Sequence, residues 1–362
     1  MRPFDRFEFK ISSRTKQLMI GAAAITAGGL VVGAAAVGVA ATALLRRKRA
    51  FFLRDKVVFI TGGSRGLGLA MGEEFAHRGA RIAICARDPE ELDRARQTIV
   101  REAVGAEVKT FICDVSDRDQ VESTVQRVQN HFGSIDVLVN NAGVTAVGPI
   151  ENQTIADFEE TMKVNFWSQV YATLAALPGM RRHGEGRIVN ITSIGGKVSI
   201  PHLLPYCCSK FAAVAFSEGL RAELANTGVK VVTVAPGLMR TGSHINAEFK
   251  GKHSQEFTWF SLSGTNPMTS INVARAAKQI VDATVTGRAE LIISWQAELL
   301  ARFHGLAPGL TTEILGLVNR TLPSAGESGE KRKGKDSHNV VTKSPLTALG
   351  RMAAKRYNQT PA

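Results

Sequence analysis

The chain has 362 residues, is 44% hydrophobic and carries a formal charge of +13, enough for one substantial core with appendages. The charge is unevenly placed: Met1 to Lys56 holds 11 basic and 3 acidic residues, Ser324 to Ala362 holds 8 and 3, and the middle holds 26 of each sign. A neutral middle excludes a nucleic-acid-binding core, and two basic ends point instead to anionic lipid. The four cysteines (Cys85, Cys113, Cys207, Cys208) are too few and too irregular for a disulfide framework, and neither they nor the eight histidines show metal-ligand spacing. The expectation is a reducing compartment and a metal-free site, with Cys207 and Cys208 as half-buried helix residues.

A basic segment, 1–17, leads into residues 18–45, which hold 28 residues without a charge. As a helix this stretch would span about 42 Å at about 1.5 Å per residue, more than the ~30 Å hydrocarbon core requires. Arg46-Arg47-Lys48-Arg49 closes it and opens a basic linker, 46–56. A transmembrane helix over 18–45 is the expectation. A cleaved signal peptide fits less well, because the run is long for one and Asp5 and Glu8 precede it; a buried hydrophobic hairpin is the third reading. Gly29 and Gly33 have the small-xxx-small spacing of close helix approach, so a homo-oligomer is left open. Five basic residues before the span and six after it leave the orientation nearly tied.

Short apolar runs then alternate with helix-length amphipathic stretches. The runs are Val57–Thr61, Arg81–Cys85, Val108–Ile112, Val137–Val139, Arg187–Ile191, Lys230–Val234 and Glu290–Ile293. This pattern predicts a Rossmann-type doubly wound parallel sheet of seven strands in a single α/β domain over 57–293. After it, Trp295, Leu299, Phe303 and Leu306, then Leu310, Ile314, Leu317 and Val318, have helical spacing interrupted at Pro308-Gly309. They predict an amphipathic helical extension over 294–323, whose apolar face is covered by the substrate loop, a second subunit or lipid, or packs on the sheet edge. The tail, 324–362, reads as basic and largely disordered. Within it Ser344-Pro345 has the form of a helix start, with Leu346, Leu349, Met352 and Ala353 on one face.

Between the first strand and the first helix lies Thr61-Gly62-Gly63-Ser64-Arg65-Gly66-Leu67-Gly68. Glycines there allow a tight turn and a close approach of a pyrophosphate to the helix N-terminus. Tyr206 and Lys210, four apart, share one helix face. A free tyrosine, near pKa 10, is too weak an acid for proton exchange at neutrality, and an adjacent ammonium would lower that value. Ser193 ends a strand, where its hydroxyl can hydrogen-bond a substrate oxygen.

The glycine spacing, Asn140-Asn141-Ala142-Gly143, Tyr206-Cys207-Cys208-Ser209-Lys210 and Pro236-Gly237 with Thr241 follow one another in an order that resembles the non-extended short-chain dehydrogenase/reductases, over Lys56 to Ile293. The resemblance implies that Asn165, Ser193, Tyr206 and Lys210 form a catalytic tetrad. It further implies that Lys210 holds the nicotinamide ribose, Asn165 supports a water-linked proton path, and Thr241 contacts the nicotinamide carboxamide. Asp114-Val115 resembles the adenine-contacting pair. The cofactor residues implied are Gly62, Ser64, Arg65, Gly66, Leu67, Gly68, Arg87, Asp114, Val115, Asn141, Ala142, Gly143, Tyr206, Lys210, Pro236, Gly237 and Thr241.

An NAD site usually places an acid at the end of the second strand. Here Ala86 stands there, Arg87 follows, and Arg65 lies in the glycine loop, so two guanidiniums suit the 2′-phosphate of NADP(H). Asp88 in a shifted register is the competing reading. Phe249, Phe257, Trp259, Phe260 and Leu262 follow Thr241 where the family has its substrate loop; they suggest an apolar pocket or simple packing. The expected function is an NADPH-dependent carbonyl reductase or alcohol dehydrogenase for an apolar, lipid-like ketone or secondary alcohol. Its partners would be that substrate and membrane lipid, without nucleic acid, and its catalytic domain would face the cytoplasm, where the cofactor is. The alternative is a non-catalytic NADP-binding scaffold or sensor.

Overall fold

The computed structural model describes residues 51–326, 329–337 and 339–360. The span expected over 18–45 and the segments beside it, 1–17 and 46–50, lie outside the described residues. Among the described residues no helix is long and apolar enough to cross a membrane.

The seven expected strands all form: β1 (Val57–Thr61), β2 (Arg81–Ala86), β3 (Val108–Ile112), β4 (Val137–Asn140), β5 (Gly186–Ile191), β6 (Val229–Pro236) and β7 (Glu290–Ile293). They make one sheet in the order β7-β6-β5-β4-β1-β2-β3, with every pair parallel. Alternation along each strand feeds two cores. On β1, Val58 and Ile60 face a core built with Leu69, Phe75, Leu92, Ile99, Ile280 and neighbours. Val57 and Phe59 face the other, with Val121, Val125, Ala172, Met180 and Leu220 among its members. Helices α1 (Gly66–His77), α2 (Pro89–Glu102) and α8 (Val273–Thr286) supply the first core; α3 (Arg118–Phe132), α5 (Ser168–His183) and α6 (Leu204–Glu223) supply the second. Local chemistry sets the helix ends: Asp88, Asp117 and Asn272 accept from the first backbone N–H groups of α2, α3 and α8, and left-handed Gly133 and Gly287 end the last two.

The strand order reverses between β1 and β4, which opens a crevice at the carboxyl ends of the strands. The helix before β5 is not uniform: α4 (Ile155–Met162) passes into α5 through one π-helical turn, Lys163–Trp167, which contains Asn165. Such turns frequently mark functional positions. Helix α7 (His253–Thr265) forms within the expected substrate loop.

Three expectations are corrected at the domain's margins. The linker does not run to Lys56, because Phe51 and Leu53 are buried in the first core and the Arg187 guanidinium stacks 4.3 Å over the Phe51 ring. The helical extension forms as α9 (Trp295–Leu306) and α10 (Pro308–Asn319), but its apolar residues do not pack on the sheet edge: Trp295 is 72% and Leu306 87% exposed, and Leu299, Phe303, Leu310, Ile314, Leu317 and Val318 are exposed as well.

The tail is not largely disordered. Arg332–Lys333 pairs antiparallel with Glu248–Phe249, which pairs in turn with Ala146–Val147. Short α11 (Val340–Lys343) and α12 (Ala348–Arg356) follow. The ordering comes from polar side chains used one at a time. Lys331 pairs with Asp157, Glu160 and Glu248, and Asn339 donates to Ser254 and Thr258 on α7. The apolar face of α12 is not the face that packs on the domain. Leu349 and Met352 are exposed, while Gly350, Ala354 and Tyr357 are buried, because the helix approaches the domain through small residues.

Candidate active site

The expected tetrad converges at the carboxyl ends of β4 and β5. Ser193 follows β5; its Oγ accepts from Gly195 N at 3.0 Å and forms a hydrogen bond with Tyr206. Tyr206 and Lys210 sit on one face of α6, with Lys210 Nζ 5.8 Å from the centre of the tyrosine ring. Lys210 is buried and donates to the Ile191 carbonyl at 3.0 Å. The Asn165 Oδ1 accepts from Val144 N at 2.8 Å, and its Nδ2 donates to the Val144 carbonyl and to Ser209 Oγ, both at 3.0 Å. Gly143 faces this group: a Cβ there would lie 3.1 Å from Asn165 Oδ1 and 3.6 Å from Lys210 Nζ.

The electrostatics differ from the simple expectation. Burial pushes the Tyr206 hydroxyl up to about 12, against the hydrogen bond from Ser193 that pulls it down. Burial likewise brings Lys210 down to about 8. The expected depression of Tyr206 by its neighbouring ammonium is not seen, because Nζ is turned to the Ile191 carbonyl and desolvation dominates both groups.

The glycine loop lies across the crevice and is held from behind. Asn141 Nδ2 donates to the carbonyls of Thr61 and Gly62 at 3.0 and 2.9 Å, and the Ala142 backbone stands 2.8 Å from where a Gly62 Cβ would be. A Cβ on Gly68 would fall 2.2 Å from the Gly62 carbonyl oxygen, so only glycine lets α1 start this close to β1. Leu67 is buried below the loop. Thr241 lies opposite, with its Cβ 3.9 Å from the Gly66 Cβ position. Pro236 ends β6, and Gly237 N donates to the Ile293 carbonyl at 2.9 Å. Asp114, just past β3, accepts from Ser116 N and Oγ, and Val115 is buried in the second core.

At the end of β2 the two arginines separate. Arg65 Nη1 is paired with Glu91 at 3.0 Å, and Ser64 Oγ donates to the same carboxylate at 3.1 Å. Arg87 is exposed and has no ion-pair or hydrogen-bond partner among the described residues. Asp88 caps α2, its Oδ1 accepting from Glu90 N and Glu91 N. A narrow glycine loop at the start of α1, with a threonine across the crevice, fits a nicotinamide dinucleotide.

The aromatic residues after Thr241 divide between the two expected roles. Phe249 and Phe257 are fully buried with Val147, Leu203, Ala247 and Cys207, while Trp259 and Phe260 are half-buried against the same cluster, which reaches Tyr206. Leu262 is half-buried. Cys207 is buried and Cys208 exposed, so the pair is not uniformly half-buried. Several residues were missed by the sequence reading. Ser209 and the Ile191 carbonyl partner the tetrad, and Glu91 neutralises Arg65. Glu256 is fully buried and accepts from Trp259 Nε1 at 2.7 Å, with His202 Nδ1 2.9 Å away. Only Ser209, inside the Tyr–Lys spacing, carried a usable signal.

The short chain dehydrogenase family profile matches residues 56–250. The chain is 34% identical over 259 residues to a dehydrogenase/reductase SDR family protein 7-like of Anopheles gambiae, a match covering 68% of this chain and 81% of that one. It is 35% identical over 198 residues to estradiol 17-beta-dehydrogenase 11 of Homo sapiens, covering 54% and 65%. Among solved structures, L-sorbose reductase from Gluconobacter frateurii, complexed with NADPH and L-sorbose, matches with a TM-score of 0.60 at 26% identity, covering 67% of this chain and 95% of that one. The ordered motifs, the sheet topology and these matches agree: the chain belongs to the short-chain dehydrogenase/reductase family of oxidoreductases.

Proposed function

We propose that this protein is a membrane-anchored, NADPH-dependent carbonyl reductase whose substrate is an apolar, lipid-like ketone, with the reverse alcohol oxidation available at the same site. The observation that carries the chemistry is the meeting of Tyr206, Ser193 and a buried Lys210 at the strand ends opposite the glycine loop. Bound there, the dinucleotide supplies the hydride for the carbonyl carbon. The chain's own residues supply the rest. Ser193 holds the substrate oxygen and opposes its developing charge, and the Tyr206 hydroxyl gives that oxygen its proton. Lys210, charged below its lowered pKa of about 8, favours the phenolate left behind, and its ammonium would be the group that holds the ribose of a bound dinucleotide. Asn165 fixes the π turn and the β4 loop around this path.

Three observations support the finer reading. Arg87 is an unspent guanidinium where a 2′-phosphate would sit, and the sorbose reductase relative was solved with NADPH. Trp259 and Phe260 pack half-buried on the same apolar cluster as Tyr206, which favours an apolar substrate, and one relative is named for a steroid alcohol. The charge-free stretch 18–45 and the exposed apolar faces of α9 and α10 both favour lipid contact. A cytosolic supply of the cofactor favours a catalytic domain on the cytoplasmic side.

Tyr206→Phe removes one hydroxyl and should lower turnover by about 10²–10⁴ while NADPH binding, followed by nicotinamide fluorescence, persists; near-native turnover would rule out this mechanism. Arg87→Asp should weaken NADPH about tenfold or more while sparing NADH, as read by the ratio of their dissociation constants. Equal losses would make Arg87 a structural residue. The full-length protein should stay with membranes through a high-salt wash and leave them in detergent, because hydrophobic transfer is not screened. Release by salt alone would remove the anchor from the account.

A further inference from the structure

The last described residues of the chain run directly over the mouth of the dinucleotide crevice, and four in a row hold it. Arg356 makes a bidentate pair with Glu73 on α1, at 2.8 and 3.0 Å. The Tyr357 carbonyl accepts from Gly66 N at 2.9 Å, and its ring is buried in the first core. Asn358, in the left-handed region at φ +55, donates to the carbonyls of Ser64 and Glu91 at 2.9 and 3.0 Å and accepts from Arg94 at 2.9 Å. Gln359 closes the far side: Asn246 Nδ2 donates to its Oε1 at 2.8 Å and to its backbone carbonyl at 3.1 Å. The strap therefore joins the glycine loop, the start of α2 and the segment after β6.

The Asn246 bond fixes which way the Gln359 amide faces. With Oε1 taken, Nε2 is directed to the glycine loop, 2.7 Å from the position a Gly66 Cβ would occupy; Thr241 Cβ is 3.9 Å from that same position. Gly66 opens α1; its own N–H is taken by the Tyr357 carbonyl, which leaves the following N–H groups of the first turn to favour phosphate oxygens. Two glycines make room for the approach: a Cβ on Gly242 would fall 2.4 Å from Ala354 Cα, and one on Gly66 would strike Gln359 itself.

We propose that residues 354–360 are a clasp over the bound dinucleotide, in which the Gln359 carboxamide donates to its bridging phosphates, so that cofactor and strap hold each other in place. This rests on the dinucleotide reading of the site and adds a ligand that lies outside the matched family region. A charge-assisted bond and a closed exit both act on cofactor release more than on its arrival.

The test uses the full-length protein in detergent, with NADPH binding followed by nicotinamide fluorescence in a stopped-flow instrument. Gln359→Ala should speed NADPH release about tenfold, and Gln359→Glu, which faces a carboxylate to the phosphates, should speed it further. NADPH should also slow amide hydrogen exchange in residues 354–360 of the unaltered protein several-fold. Binding of NADPH by the unaltered protein with release unchanged in both variants would overturn the clasp alone. Faster strap exchange with NADPH, or tighter binding in Gln359→Ala, would overturn it in favour of a plug that the cofactor must displace. No saturable binding of NADPH or NADH to the unaltered protein would overturn the dinucleotide reading, and the clasp with it.

Discussion

Lys210 is only 4% exposed, and among the described residues its ammonium has a single hydrogen-bond acceptor, the Ile191 carbonyl at the end of β5. Burial lowers its pKa from 10.5 to about 8, a cost of about 3 kcal/mol to the folded state at neutral pH. The sign follows from the depressed value: the cost is full below about pH 8 and fades as the pH rises toward the ordinary lysine value. Much of the local structure serves to hold this residue there. Gly196 admits α6 so closely that a Cβ would sit 2.5 Å from the Lys210 carbonyl oxygen, and Gly143 leaves the space in front of the ammonium open. A strained electrostatic arrangement of this sort is worth its cost where a bound group supplies the missing oxygen partners. A ribose with its hydroxyls is such a group.

The same dependence organises the pair with Tyr206. Burial moves the two groups in opposite directions, the tyrosine up and the lysine down. The clasp fits this logic, since excluding water from the crevice mouth strengthens each interaction inside it. Of the two arginines near the glycine loop, Arg65 is paired with Glu91, while Arg87 is exposed and has no partner among the described residues.

The sheet was legible because strands buried on both faces must be continuously apolar, and each of the seven runs was found to within a few residues. The Tyr206–Lys210 pair was legible because residues four apart share one helix face, whereas Asn165 came only from the family resemblance. The margins were not, and the reason is physical. The tail is held by isolated polar contacts across great sequence distance, such as Asn358 to Ser64, and these leave no periodicity. Its helix docks through Gly350 and Ala354, while Leu349 and Met352 stay exposed, so the apolar pattern does not mark the packed face. Phe51 and Leu53 were hidden by the basic cluster before them. The exposed face of α9 and α10 was visible as a pattern, but a pattern alone does not say whether protein or lipid covers it.

The pH dependence of kcat/KM for NADPH, measured with a saturating ketone and subsaturating cofactor, tests the buried lysine most directly, because it reports the free enzyme's ionisations. The account predicts a plateau that breaks downward near pH 8, the lowered value of Lys210, and a much lower, flat profile in Lys210→Met. A plateau that persists to the ordinary lysine range, or a break near pH 8 that survives in Lys210→Met, would contradict it.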